Sequence, residues 1–211
     1  MISNTADKII EKIKKEQLAK EEIKEIKNEW INNIYNQLKD MEIDPRGRFG
    51  ENLINEILSN DSYFTIEYDG DANTHRANGI YDITINTKRV EIKTATIGTN
   101  KNTFQHENLK NEDKCDAYLL IDVGRDFIFL TFLRKDFNFE DHTSNKPKIP
   151  IFSSAKSKKS GATFHNRPGT DNFKLTLCSD TSLEFSKEKG TSVKIESDDV
   201  KIIFDFLKKF L

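Results

Sequence analysis

Cysteine is scarce in this chain: it has two among 211 residues, Cys115 and Cys178. Cys115 opens an apolar run, which favours a reduced, cytoplasmic protein over a disulfide framework. Residues 1–5 lack the basic start and apolar stretch of a signal peptide, so we expect none. No run approaches the roughly 18 apolar residues of a membrane span, and we expect no membrane partner.

Several functional signatures are missing as well. The histidines lack the spacing of a metal-ligand set, and there is no zinc pattern, phosphate-binding loop or glycine-rich nucleotide motif. Charged residues make up 32% of the chain, yet the net charge is only −2, which counts against a nonspecific nucleic-acid coat protein. At this length the chain can bury roughly 70% of its unfolded surface, enough for one core with appended elements.

The chain does contain a pair of short strands that are apolar on one face only. Residues 80–85 and 89–93 alternate, and a hairpin about Asn86 and Thr87 joins them. This hairpin places Asp82 directly across from Glu91, and residues opposite each other point to the same face. Lys93 lies two residues after Glu91 and shares that face. Two carboxylates and a lysine are therefore predicted to converge.

Such a pair of acids is unfavourable unless something compensates it. At roughly 5 Å and an effective dielectric of about 20, the repulsion is about 3 kcal/mol. A bound Mg²⁺ would convert the repulsion into coordination, because hard cations take oxygen ligands. The alternative is a solvent-facing polar side of an edge hairpin, in which Lys93 neutralises Glu91.

Asp82, followed nine positions later by Glu91, Ile92 and Lys93, resembles the signature of the PD-(D/E)XK nuclease superfamily, in particular its type II restriction endonucleases. Tyr81 stands where that family often has proline. The resemblance implies an α/β fold with a restriction-endonuclease-like core, a mixed β-sheet flanked by helices. It also implies that Asp82, Glu91 and the Ile92 carbonyl bind Mg²⁺, while Lys93 orients the attacking water or contacts the phosphate.

An acid on the preceding helix extends the resemblance. Asp44 is predicted as the N-cap and Pro45 as the first residue of a helix over residues 45–58. Glu51 shares the inward stripe of that helix with apolar residues, where an unpaired charge is costly. By resemblance Glu51 completes the metal site or supports it. The alternative is that Glu51 lies at the edge of the stripe and reaches water.

The order of elements after the hairpin also fits. Residues 115–123 and 127–133 are predicted as buried strands. Residues 104–109 are predicted to start a short helix, and Gln105 is the candidate for the polar residue that often faces the site in the family. The resemblance covers residues 49–133, less than half of the chain.

A basic segment spans residues 141–174, where seven cations face only Asp141 and Asp171, a net charge of +5. Its composition predicts mostly loop, with lysines for phosphates and side chains that can read base edges. A solvated surface loop is the alternative. The predicted DNA-binding residues are Lys146, Lys148, Lys156, Lys158, Lys159, His165, Asn166, Arg167 and Lys174.

The two ends of the chain are predicted to be helical. Apolar spacing over the first forty residues indicates a long helix with a break near Gln17. It packs against the core or serves as a dimer interface or DNA-flanking arm. The predicted division is a helical extension, 1–43, and a catalytic core, 44–211. A strand over residues 173–177 and a final helix capped by Ser197 complete the prediction.

These features together predict a Mg²⁺-dependent type II restriction endonuclease that cuts double-stranded DNA at a short specific sequence as a homodimer. One alternative is a structure-specific or repair nuclease with the same core. The other is a non-catalytic DNA-binding module, in which the acids and Lys93 form a surface ion pair.

Overall fold

The computed structural model describes residues 2–17, 30–68, 70, 81–97, 103–110, 115–125, 127–134, 162–166, 172–178 and 190–211, the ranges 162–166 and 172–178 by their backbone. The described helices are α1 (Ile2–Gln17), α2 (Trp30–Leu38), α3 (Ile43–Leu58) and α4 (Lys201–Leu207). The described strands are β1 (Ile66–Glu67), β2 (Ile83–Ile85), β3 (Lys88–Thr96), β4 (Thr103–Lys110), β5 (Ala117–Val123), β6 (Ile128–Arg134), β7 (Ala162–Asn166), β8 (Asn172–Cys178) and β9 (Gly190–Ile195).

The described strands form two sheets. Six of them make a mixed sheet in the order β1-β2-β3-β5-β6-β9, in which β3 and β5 are parallel and the other neighbours are antiparallel. The other sheet has the order β4-β8-β7 and is antiparallel. A mixed six-stranded sheet flanked by helices confirms the predicted α/β class. The restriction-endonuclease-like identity of the fold stays a prediction.

Helix α3 packs against the six-stranded sheet at a point of close approach. A Cβ atom added at Gly50 would overlap the hydroxyl of Thr94 on β3 and lie 3.1 Å from Cδ1 of Ile121 on β5. Glycine is unfavourable inside a helix, but here it removes the atom that would keep α3 away from the strands. The close packing holds the middle of α3 against β3.

The predicted hairpin is present, with altered strand limits. Asn86 and Thr87 both have positive φ, +47° and +69°, as a two-residue type I′ turn requires. The register pairs Ile83 with Val90, as predicted. Strand β2 is shorter than predicted because it starts at Ile83, whereas β3 runs on to Thr96 because it continues to pair with β5.

The predicted short helix over residues 104–109 is wrong: this segment belongs to strand β4. Phe104 and His106 are buried while Gln105 and Glu107 are exposed, which is the two-residue period of a strand. A bulge between His106 and Leu109, with Asn108 at φ +58°, restores Leu109 to the buried side. The alternation was present in the sequence, but the bulge interrupts it.

Two predicted helix starts are also wrong. Helix α3 begins at Ile43 with Glu42 as its N-cap, because Pro45 can occupy a position in the first turn whose N–H has no helical partner anyway. The final helix begins at Lys201 rather than after Ser197. Its N-cap is Val200, and Asp199 Oδ1 accepts a hydrogen bond from the Lys201 N–H at 2.9 Å, which satisfies one of the free N–H groups of the first turn.

At the N-terminus, α1 is described up to Gln17 and α2 from Trp30. Residues 18–29 between them lie outside the described residues, so the predicted break near Gln17 stays a prediction. The Ser3 N–H and hydroxyl both donate to Asp198, at 2.7 Å each, which ties α1 to the turn before α4. The boundary at residue 43 stays a prediction. No helix in the described ranges is long and apolar enough to cross a membrane.

The predicted basic loop is not all loop. Strand β7 lies within it, and β8 begins inside it and contains the predicted strand over residues 173–177. Within 141–174, residues 141–161 and 167–171 lie outside the described residues. Glycine- and serine-rich composition predicted loop, whereas residues 162–166 gain their hydrogen bonds by pairing with β8.

Candidate active site

The candidate site forms where β2 and β3 stop pairing. Their ladder ends at Ile83 opposite Val90, so residues 92–96 of β3 pair only with β5 among the described strands. Asp82 lies one residue before β2. Its N–H donates to the Val90 carbonyl at 3.1 Å, and its Oδ2 accepts the Ile92 N–H at 2.7 Å. The Asp82 carboxylate is thus fixed at the open edge of β3.

Glu91 and Lys93 lie on the same face of β3, as their spacing predicts. Lys93 Nζ donates to Glu91 Oε1 at 2.6 Å, and both side chains are mostly buried, with 21% and 24% of their surface exposed. The pair therefore interacts in a partly desolvated environment, where Coulomb attraction is stronger than at the surface. Glu91 does carry the compensating lysine that the polar-edge alternative requires.

Glu51 is buried on α3, with 4% of its surface exposed. Ile54 and Leu58 on the same stripe are fully buried, so Glu51 is part of the inward face and does not reach water along its edge. The hydroxyl of Tyr68, just after β1, donates to Glu51 Oε2 at 3.5 Å. The approach of α3 to β3 at Gly50, one residue earlier, carries this carboxylate towards the site.

The three carboxylates are close enough to change the ionisation of Asp82. Burial of Asp82, together with the charges of Glu91 and Glu51, raises its pKa to about 8 against the opposing effects of the Ile92 N–H and Lys93. Burial and the charge of Glu91 also raise the pKa of the nearby Cys115 thiol to about 11. Negative charge is therefore concentrated here beyond what Lys93 neutralises, and a proton or a cation stabilises the cluster.

The donor chemistry of the cluster suits a hard divalent cation. Among the described residues, no three His, Cys, Asp or Glu side chains stand close enough together to form a metal-binding group. Mg²⁺ does not need three, because it keeps several water ligands and is usually held by one or two carboxylates. Asp82 and Glu91, with the carbonyl of Ile92 between Glu91 and Lys93, offer an all-oxygen set of that size.

A cleft runs along the open edge of β3, and Ile92 and Lys93 are the members of the site that line it. The first turn of α3 borders it on one side and β4 on the other. Gln105 is exposed on β4 and lines the same cleft as Lys93, which is where the resemblance predicts a polar residue facing the site. The other polar residues of the lining include Lys39, Arg46, Glu107 and Asn108.

The sequence did not predict a buried histidine–aspartate hydrogen bond at this cleft. Nε2 of His106 on β4 lies 2.6 Å from Oδ1 of Asp122 on β5, and the two side chains are 1% and 0% exposed. The pair joins the three-stranded sheet to the six-stranded one. Period-two alternation through residues 104–107 was the signal that could have placed His106 inward, had the segment been read as a strand.

Only part of the predicted DNA-binding set lies within the described residues. His165 and Asn166 belong to β7 and Lys174 to β8, and His165 pairs with Lys174. Gln105 pairs with Thr176, two positions from Lys174, so the β4 strand that lines the cleft is the neighbour of β8. The remaining predicted residues lie outside the described ranges: Lys146, Lys148, Lys156, Lys158, Lys159 and Arg167.

Comparison with known proteins adds no relative. No protein-family model, curated protein or solved structure matches the chain.

Proposed function

We propose that this protein is a Mg²⁺-dependent endonuclease that hydrolyses double-stranded DNA at a short specific sequence, in the manner of type II restriction enzymes. One observation carries the proposal. Buried Asp82, fixed by the Ile92 N–H, lies in the field of Glu91 and Glu51 beside Lys93, at an open sheet edge that lines a cleft. A purely structural role gives no reason to hold buried carboxylates close together, where they repel each other. A cation-binding site needs such a group of carboxylates.

In the proposed reaction each residue has a separate task. Asp82, Glu91 and the Ile92 carbonyl would hold the cation, which would activate a water molecule and stabilise charge on the scissile phosphate. Lys93 carries three N–H donors, so it can keep its bond to Glu91 while it donates to the water or to a phosphate oxygen. Glu51 keeps the cluster negative. A water molecule would then attack phosphorus on the side opposite the leaving oxygen, and the bond from phosphorus to that oxygen breaks as the new one forms.

Double-stranded DNA as the substrate is supported by charge. The site needs a polyanion to approach a net-acidic protein, and the net charge of +5 over residues 141–174 provides the attraction. Strand β8 carries the end of that segment to within one strand of the cleft. A homodimer is part of the proposal because a two-fold protein matches a palindromic site and its two cuts.

The test is to incubate the purified protein with plasmid DNA and Mg²⁺ and map the ends of the products. Discrete fragments with one end sequence support restriction. A smear, or cutting only at branches, would instead identify a structure-specific nuclease on the same core. Binding without any cleavage in Mg²⁺ or Mn²⁺ would leave a DNA-binding module, and the acid cluster would then be structural. The Asp82→Asn variant is the inactive reference.

A further inference from the structure

Arg46 is a half-buried cation without a counterion in the described part of the chain. Its Nη2 donates to the Met41 carbonyl at 2.7 Å and its Nη1 to the Thr96 hydroxyl at 3.4 Å. Its Nε is buried and has no hydrogen-bond partner among the described residues. Burial lowers the pKa of the guanidinium, and no described carboxylate opposes that shift.

This arrangement is unfavourable as a purely structural feature. A desolvated charge is normally paired, and a buried donor without a partner loses the hydrogen bond it made to water. The two neutral acceptors orient the guanidinium but do not neutralise it. An anionic ligand with oxygen acceptors would supply what is missing, and guanidinium groups match phosphate oxygens in geometry.

The position of Arg46 specifies which anion. Arg46 lines the cleft together with Lys93 of the candidate site, and Lys39 and Gln105 also line it. Among the described residues of this lining, three cations accompany one acid, Glu107. Resting on the proposed function, in which DNA enters this cleft, we propose that Arg46 binds a backbone phosphate of that DNA and so positions the strand against the Asp82, Glu91 and Lys93 cluster.

The experiment measures binding and not cleavage, so its outcome is separate from that of the nuclease proposal. A short fluorescein-labelled DNA duplex is titrated with protein in EDTA over a series of salt concentrations. Relative to wild type, Arg46→Gln is expected to weaken binding about tenfold, as the loss of a charged hydrogen bond implies. It should also reduce the slope of log K against log salt by about 0.9, the value for one phosphate contact.

Two further variants exclude a folding effect. Arg46→Lys keeps the charge and should retain the salt slope while losing part of the affinity. Arg134→Gln removes an exposed arginine from β6, outside this cleft, and should leave both quantities unchanged. The proposal is overturned if wild type does not bind the duplex, or if Arg46→Gln binds like wild type. It is also overturned if Arg46→Gln weakens binding with an unaltered slope, or if Arg134→Gln weakens it equally.

Discussion

Replacing Asp82 by asparagine should make the metal-free protein more stable at pH 8. Asparagine has nearly the same shape and keeps an oxygen to accept the Ile92 N–H, which now bonds to Oδ2 at 2.7 Å. It removes the charge that Glu91 and Glu51 repel. Most substitutions of buried residues destabilise a protein, so an increase in stability would be diagnostic of an acid that serves function at the expense of the fold.

The size of the effect follows from the pKa. The folded pKa of Asp82 is about 8, against 3.8 for the ordinary side chain. Because the folded pKa is the higher one, protonated Asp82 contributes fully to the free energy of unfolding below the unfolded pKa. That contribution is lost as the pH rises towards the folded pKa. At about 1.4 kcal/mol per pKa unit, the loss is on the order of 5 kcal/mol across that window. The buried asparagine amide has an N–H donor to satisfy, which costs about 1–3 kcal/mol, so we expect a net gain of at least about 2 kcal/mol at pH 8.

The assay is urea unfolding of wild type and Asp82→Asn from pH 5 to 8 in EDTA, followed by circular dichroism. The difference in free energy of unfolding between the two proteins should move steadily in favour of Asp82→Asn as the pH rises. Added Mg²⁺ should stabilise wild type and leave Asp82→Asn unchanged. If Asp82→Asn is less stable than wild type at pH 8 without metal, the acids do not repel each other as described and the reasoning fails.

Three further predictions concern the structure around the site. Gly50→Ala should lower the free energy of unfolding in urea by about 1–3 kcal/mol, because the new Cβ overlaps the Thr94 hydroxyl. Gly47→Ala should raise it, because a Cβ there would lie 4.0 Å from Glu51 Oε1 and alanine favours the helix. Equal effects would refute the close packing. His106→Leu should lower the free energy of unfolding by about 3–5 kcal/mol by leaving Asp122 buried and unpaired, and a double variant with Asp122→Leu should recover much of that; no recovery would contradict the pairing. The hydrogen bonds from Arg89 lower the pKa of Asp116 to about 2, so the ionised carboxylate stabilises the fold above its ordinary pKa and this stabilisation is lost as the pH falls through the folded pKa. The Asp116→Asn variant should therefore show a smaller change of the urea midpoint in acid. An unchanged dependence would count against the pair.

The hairpin was predictable because its signals are local. Alternation fixes which residues of β3 face inward, and a two-residue turn at Asn86 and Thr87 leaves the register little freedom. Burial of Glu51 was likewise predictable from its place on the stripe of α3. What the local pattern could not show is that the ladder stops at Ile83, because the length of β3 is set by its parallel partner β5, far along the chain.

The cleft was beyond local patterns as well. It depends on the pairing of β4 with β8 in the three-stranded sheet, a contact between segments some seventy residues apart. The bulge at Asn108 hid the strand period, and with it the burial of His106. The lack of a described counterion for Arg46 was not predictable either, because the partner of a cation depends on tertiary structure and not on spacing along one helix.

The most direct test of the central claim is the rate of DNA cleavage by Lys93→Ala, compared with wild type and with Lys194→Ala, in Mg²⁺ and in EDTA. Lys194 is a matched control because it also forms an ion pair with a glutamate two residues away. Lys194 lies on β9 and its partner Glu196 directly after it, and neither lines the cleft. We predict cleavage by wild type and Lys194→Ala in Mg²⁺ only, and a loss of about 100-fold or more in Lys93→Ala. Cleavage by Lys93→Ala at the wild-type rate, or by wild type in EDTA, would contradict the account.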